Sequence, residues 1–209
     1  MDKTDVYFTV SGVSSGLFKD RGSRFVSFAQ PVSTPEEAKN IIEDYRNKYH
    51  DARHHCYAYI IGYNGNIYRQ YDDGEPSGTA GKPILGQIRS KKLTNTLIVV
   101  IRYFGGTLLG TGGLINAYRT AASEALNNAN IIKCYKYNYY SIKFPWNKLN
   151  MVMKILKDSN ALIQNQEYGE QCGLMAGIRL ILSEHVIGKL SEHGNILITP
   201  LMSNKNHKK

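Results

Sequence analysis

Cysteine is scarce in this 209-residue chain: there are three, Cys56, Cys134 and Cys172, odd in number, widely scattered and without a CxxC pair. Disulfide frameworks and structural zinc sites need closely spaced sets, so both are excluded and a reducing cytosol is the expected compartment. Long apolar runs are also missing. The longest, Leu97-Ile98-Val99-Val100-Ile101, is far short of the roughly 20 residues that cross a bilayer. The opening Met1-Asp2-Lys3-Thr4-Asp5 carries acids and no apolar stretch, so no secretory signal is expected. There is no internal repeat or low-complexity segment, no HExxH and no Gly-x-Ser-x-Gly elbow.

Acid is short too, with 17 Asp and Glu against 26 Lys and Arg, a net charge of +9. A basic surplus suits polyanionic partners through phosphate neutralisation, and also serves plain solubility. The 42% hydrophobic and 21% charged residues are ordinary globular usage. At about 150 residues per domain, the length allows one large domain or two small ones.

The pattern divides near Cys134. Residues 1–134 hold 16 bases against 12 acids, and residues 135–209 hold 10 against 5. In the first part, Arg24–Ala29 reads as a strand. Thr34-Pro35-Glu36-Glu37 supplies an N-cap, a proline at the first helical position and a capping-box glutamate. Ala38, Ile41, Ile42, Tyr45 and Tyr49 follow at helical spacing. Cys56–Ile61 reads as a strand that turns through Asn64-Gly65 into Ile67-Tyr68. A long polar loop leads to Thr96–Phe104, the pattern of a buried strand, and a second helix opens near Thr111 with Leu114, Ala117, Tyr118, Ala121 and Ala125 on one face.

The second part predicts a strand at Tyr140–Phe144, a helix capped by Asn147, strands at Ala161–Gln166 and Gly173–Leu182, a helix from Ser183 to Gly194, and a closing strand at Ile196–Ile198. This is the β-α-β-β-α-β order of a ferredoxin-like module. Residues 203–209 form a basic tail with Lys205, Lys208 and Lys209. Alternating Tyr135, Tyr137 and Tyr139 share a strand face and could stack on bases. The neighbouring strand Leu174–Arg179 lacks an aromatic, which argues against a conventional RNA-recognition motif.

Two segments carry chemistry. Asp72-Asp73-Gly74-Glu75-Pro76-Ser77-Gly78-Thr79-Ala80-Gly81-Lys82-Pro83 packs three acids, two hydroxyls, three glycines and two prolines into one loop. Asp72, Asp73 and Glu75 could hold Mg²⁺. Alternatively the acids and the hydroxyls of Ser77 and Thr79 cap backbone N–H groups in a structural turn. Gly105-Gly106-Thr107-Leu108-Leu109-Gly110-Thr111-Gly112-Gly113 follows the buried strand and opens the second helix. Free N–H groups and the helix dipole there attract anions, with Arg102 before it and Arg119 after it. It is neither a Walker A nor a GxGxxG fingerprint. Close helix–strand packing would demand the same glycines, and the two readings stand level. Adjacent His54 and His55 point to opposite strand faces and cannot share a metal, and Cys56 beside them reads as an inert buried thiol. His185 and His193 have no acidic or cysteine cluster nearby.

Ser23-Arg24-Phe25, the Asp72–Pro83 loop and Arg102-Tyr103-Phe104-Gly105-Gly106-Thr107-Leu108-Leu109-Gly110-Thr111-Gly112-Gly113-Leu114 together resemble the IMPACT/YigZ family in its two-domain bacterial form. The resemblance implies an α+β chain. A ribosomal-protein-S5 domain-2-like domain would occupy residues 1–134, and a ferredoxin-like domain similar to the last domain of elongation factor G residues 135–202. It further implies a nucleic-acid- or ribosome-binding role linked to regulation of translation, with no cofactor and no membrane. Eukaryotic relatives control translation under amino-acid starvation and carry an extra N-terminal partner-binding domain. This chain begins at the core domain, so that partnership is not expected here. Asn116 stands where the family is expected to carry Lys or Arg. The phosphate-contacting set expected from these segments is Arg24, Lys82, Arg102, Gly105, Gly106, Gly110, Thr111, Gly112, Gly113 and Arg119, meeting in one cleft. The alternative is a Mg-dependent enzyme acting on a nucleotide or phosphorylated metabolite through Asp72, Asp73 and Glu75. In a third reading the motifs serve only the fold of an interaction module.

Overall fold

A computed structural model describes residues 4–201, and the predicted basic tail at 203–209 lies outside the described residues. The chain forms two compact units, one spanning Tyr7–Cys134 and the other formed by the chain from Tyr135 with the residues up to Val6. Strands β1 (Val6–Val10) and β7 (Ile131–Tyr135) pair as a two-stranded sheet.

The larger unit is built on an antiparallel five-stranded sheet in the order β2-β3-β6-β4-β5, from β2 (Ser14–Asp20), β3 (Ser23–Pro31), β4 (His54–Ile61), β5 (Ile67–Tyr71) and β6 (Thr96–Tyr103). Helix α1 (Pro35–Lys48) covers one face. Its Ala38 and Ile42 pack on Tyr57, Tyr59, Leu97, Val99 and Ile101. Helices α2 (Gly81–Ser90) and α3 (Gly110–Asn127) cover the other, against Phe25, Cys56, Ala58, Ile98 and Val100. With both faces covered, β6 must be apolar on both sides, which is why it reads as an unbroken hydrophobic run rather than an alternation. The Thr34 hydroxyl accepts from the Glu37 N–H at 3.1 Å, as the sequence predicts for the start of α1, while Glu37 Oε2 accepts from the Ser33 N–H at 2.7 Å.

The long polar loop expected between β5 and β6 is overturned, because ten of its residues form α2. Ile84, Leu85 and Ile88 supply a buried face, disguised in the sequence by Gly81, Pro83 and Gly86. Strands β1, β2 and β7 are likewise additional to the elements expected from the sequence, although Val6-Tyr7-Phe8-Thr9-Val10 of β1 is β-branched or aromatic throughout.

The smaller unit runs β8 (Tyr137–Pro145), α4 (Leu149–Asp158), β9 (Leu162–Glu167), β10 (Gln171–Arg179), α5 (Ser183–Glu192), β11 (Leu197–Leu201), with sheet order β11-β8-β10-β9. Ile142, Phe144, Leu174, Ala176 and Ile178 form its core with Val152, Leu156, Val186 and Leu190 of the helices. Two local expectations fail. Asn147 does not cap α4, since a 3₁₀ turn over Trp146–Lys148 precedes the helix and no side chain caps it. The strand expected to reach Leu182 ends at Arg179, where another 3₁₀ turn leads into α5. Asp5 is buried against the bidentate guanidinium of Arg179, with contacts of 3.0 and 2.7 Å. No helix among the described residues is long and apolar enough to cross a membrane.

Candidate functional site

Across the central strands, Phe25 of β3, Arg102 of β6 and His54 of β4 are in register and share the face under α2 and α3. Arg102 therefore points inward and is only 5% exposed. A buried guanidinium needs a counter-charge, and Glu75 provides it from the loop between β5 and α2. Glu75 Oε1 accepts from Arg102 at 2.7 Å and from the Tyr118 hydroxyl of α3 at 2.7 Å. His54 Nε2 lies 3.9 Å from the same oxygen. The guanidinium also sits 5.4 Å from the Phe25 ring and 5.6 Å from the Phe104 ring, and reaches the Ser23 hydroxyl at 3.5 Å. Its Nε is buried without a hydrogen-bond partner.

The other acids of the loop are equally committed. Asp72 accepts from three backbone N–H groups: Gly78 at 2.9 Å, Ala80 at 3.0 Å and Gly81 at 2.7 Å. It thus supplies the anionic cap that α2, lacking any acid in its first turn, needs. Asp73 adopts a left-handed φ of 45° ahead of Gly74 at 82°. Its carboxylate accepts from the His55 N–H at 2.6 Å and pairs with Arg46 at 2.8 Å, and its carbonyl meets His54 Nδ1 at 2.8 Å. Thr79 is buried, and its hydroxyl donates to the Pro76 carbonyl at 2.7 Å; Ser77 is exposed. No group of three or more His, Cys, Asp or Glu among the described residues is arranged to hold a metal ion. Asp72, Asp73 and Glu75 each face a different partner, so they do not form the Mg²⁺ cluster of the alternative reading.

Cys56 Sγ lies 3.0 Å from the Asp72 carbonyl and 3.3 Å from the Tyr118 hydroxyl. Burial pushes its thiol well above the ordinary value, outweighing the hydrogen bond shared with Tyr118, so it is a poor nucleophile. Burial likewise drives the Tyr118 hydroxyl up, reinforced by Cys56 and Glu75, and it stays a proton donor to Glu75.

The glycine segment lies between β6 and α3. Gly105 packs against the β2–β3 turn: its N–H donates to Ser23 Oγ at 3.2 Å, and an added Cβ would lie 1.9 Å from the Gly22 carbonyl carbon. Close backbone approach explains that glycine. Gly106, Gly110, Thr111 and Gly112 are exposed, Gly113 is half-buried, and a Cβ on Gly106, Gly110 or Gly112 would meet nothing within 4 Å. Helix α3 begins there without a side-chain cap or an acid in its first turn.

The expected cleft joining Arg24, Arg102 and Arg119 is corrected. Arg24 pairs in register with Tyr103, on the sheet face opposite Arg102, and stacks 4.4 Å over that ring. Arg119 is exposed on α3, Lys82 is exposed at the start of α2, and Arg102 is neutralised inside. Helical spacing presents Tyr118 only as part of an apolar face. The signal for its further part is the hydroxyl, which needs a partner when buried among alanines. No motif in the sequence marks Tyr68, Arg69 and Arg89, which with Lys82 line a groove of about 650 Å³ between β5 and α2.

Residues 21–126 match the family described as the Impact N-terminal domain. The chain is 39% identical over 166 residues to IMPACT family member YvyE of Bacillus subtilis, covering 78% of this chain and 76% of that one. It is 35% identical over 148 residues to IMPACT family member YigZ of Escherichia coli, covering 70% and 72%. A solved structure described as a hypothetical protein superposes with a TM-score of 0.71 at 28% identity, over 95% of this chain and 98% of that one, in keeping with a mixed α+β fold. With the Asp72–Pro83 loop and the Arg102–Leu114 segment meeting at one buried ion pair inside the matched region, the chain belongs to the IMPACT family.

Proposed function

We propose that this protein is a non-catalytic, cytoplasmic nucleic-acid- or ribosome-binding factor linked to regulation of translation. In this reading the larger unit is ribosomal-protein-S5 domain-2-like and the smaller one ferredoxin-like, its β-α-β-β-α-β order and β11-β8-β10-β9 sheet supporting the second assignment. The observation that carries the reading is the exposed, uncapped opening of α3. Its first-turn N–H groups and roughly half a positive charge of dipole face outward from Gly110, Thr111, Gly112 and Gly113, two turns before the exposed Arg119. The chain's net charge of +9 reinforces it. Arg24 and Lys82 contribute from other faces of the same unit, and Arg102 acts only through the fold.

Co-sedimentation with ribosomes, and binding to a structured RNA, at about 50 and about 200 mM salt test the reading. Binding should weaken steeply with salt, and weaken further in Arg24→Ala and Arg119→Ala. Absence of binding at low salt, or binding indifferent to both substitutions, overturns it.

A further inference from the structure

Strand β5 ends the five-stranded sheet, pairs only with β4 among the described strands, and has all five residues exposed. Between it and α2 runs an open groove of about 650 Å³. Its charged side chains are Lys82 and Arg89 from the helix, with no carboxylate among the lining residues; Arg69 borders it along the strand, but its register with Tyr59 turns its side chain to the α1 face. Leu85 forms an apolar floor, and at Gly86 a side chain would meet nothing within 4 Å, so the groove is unobstructed there. The Arg89 guanidinium lies 4.9 Å from the centre of the Tyr68 ring, which remains 56% exposed.

Another groove of this unit, on the α1 side of β5, gives a contrast. Arg69 also borders it, but there Lys39 and Arg46 are offset by Glu36 and Glu43. Of these two grooves, the α2 side alone presents cations without acids, together with an exposed aromatic ring. A stacking surface flanked by cations is how single-stranded nucleic acid is held without sequence readout. Duplex RNA is recognised by shape over about 16 base pairs, a span that a groove of this volume cannot meet. It has room for about two nucleotides, at the scale of small-ligand sites.

We infer that the β5–α2 groove binds a short single-stranded stretch of RNA, with Lys82 and Arg89 on its phosphates and Tyr68 stacked on a base. This rests on the nucleic-acid reading above and moves its principal contact away from the α3 opening.

The test is fluorescence anisotropy of the full chain with a labelled oligouridine of about 12 nucleotides, between about 50 and about 200 mM salt. Lys82→Gln/Arg89→Gln should weaken binding about tenfold or more. It should also flatten the dependence of log affinity on log salt by about 1.4, the share of two phosphate contacts. Tyr68→Ala should lose about 5- to 150-fold and Tyr68→Phe almost nothing, as stacking requires. If oligouridine binds but only Arg24→Ala and Arg119→Ala weaken it, the groove is wrong and the nucleic-acid reading stands. Ribosome or structured-RNA binding without oligouridine binding also overturns the groove and spares that reading. Failure of every RNA at low salt overturns both. Competition by polyglutamate as effective as by oligouridine would assign the groove to an acidic polypeptide and overturn the RNA proposal.

Discussion

Arg102→Met tests the ion pair on which both motifs converge. The methionine keeps length and apolar packing against Phe25 and Phe104 but removes the guanidinium held 2.7 Å from Glu75 Oε1. Glu75 is 9% exposed and would retain the Tyr118 hydroxyl at that oxygen. Removing one member of a buried pair costs about 3–5 kcal/mol, because the other is left charged and desolvated. Arg102→Met should therefore lose about 3–5 kcal/mol at pH 7. Glu75→Gln strands the guanidinium instead, which cannot shed its proton, and should lose a comparable amount. Combined, the two substitutions should cost less than their sum.

Urea denaturation followed by far-UV circular dichroism measures this. The single tryptophan, Trp146, lies in the other unit and gives an internal fluorescence reference. At about 1–3 kcal/mol per molar urea, a loss of about 3 kcal/mol moves the midpoint by about 1–3 M. A loss below about 1 kcal/mol for Arg102→Met, or a double variant that loses the full sum of the two single losses, would refute the account of a buried, mutually dependent pair.

Gly105→Ala should lower stability by about 3 kcal/mol or more in thermal melts, since its Cβ would meet Gly22 and Ser23 backbone atoms at 1.9 and 2.2 Å. Gly112→Ala, with open space around it, should raise stability by up to about 1 kcal/mol. Burial opposes ionisation of Asp5, but the hydrogen bonds and charge of Arg179 outweigh it and hold the carboxyl below its ordinary value. Such a group stabilises the fold above about pH 4 and loses that contribution as pH falls through its folded-state value. Asp5→Asn should therefore have a lower urea midpoint than the parent chain at pH 7, with the gap narrowing as pH falls below about 4. Thiol titration of the native protein at about pH 8 should reach Cys134 at most, because Cys56 and Cys172 are buried.

What the sequence disclosed follows the range of the interactions involved. Helix α1 was legible because its start is written in four consecutive residues, and β6 because burial on both faces leaves an uninterrupted apolar run. Helix α2 was not. Its capping carboxylate, Asp72, stands eight and nine residues ahead of the N–H groups it satisfies, and no local rule links them. Nor does any local pattern say that Arg102 points inward, because its partner Glu75 is 27 residues away and joins it only once β5, β4 and β6 are paired.

The same reasoning reorders the candidate site. Acids, glycines and arginines crowded into two short segments look like exposed chemistry, yet Asp72, Asp73, Glu75, Arg102 and Gly105 all spend their polar groups or close contacts on holding a loop, a helix start and a hairpin turn to one sheet. A guanidinium neutralised at 2.7 Å has little left for a phosphate. The cations best placed to meet a polyanion are those outside that lock, on α3 and on α2, where Lys82 and Arg89 line their groove without an acid. Tyr68 and Arg89 belong to no recognisable motif, and only the placing of an edge strand beside a helix that the sequence disguises brings them to Lys82.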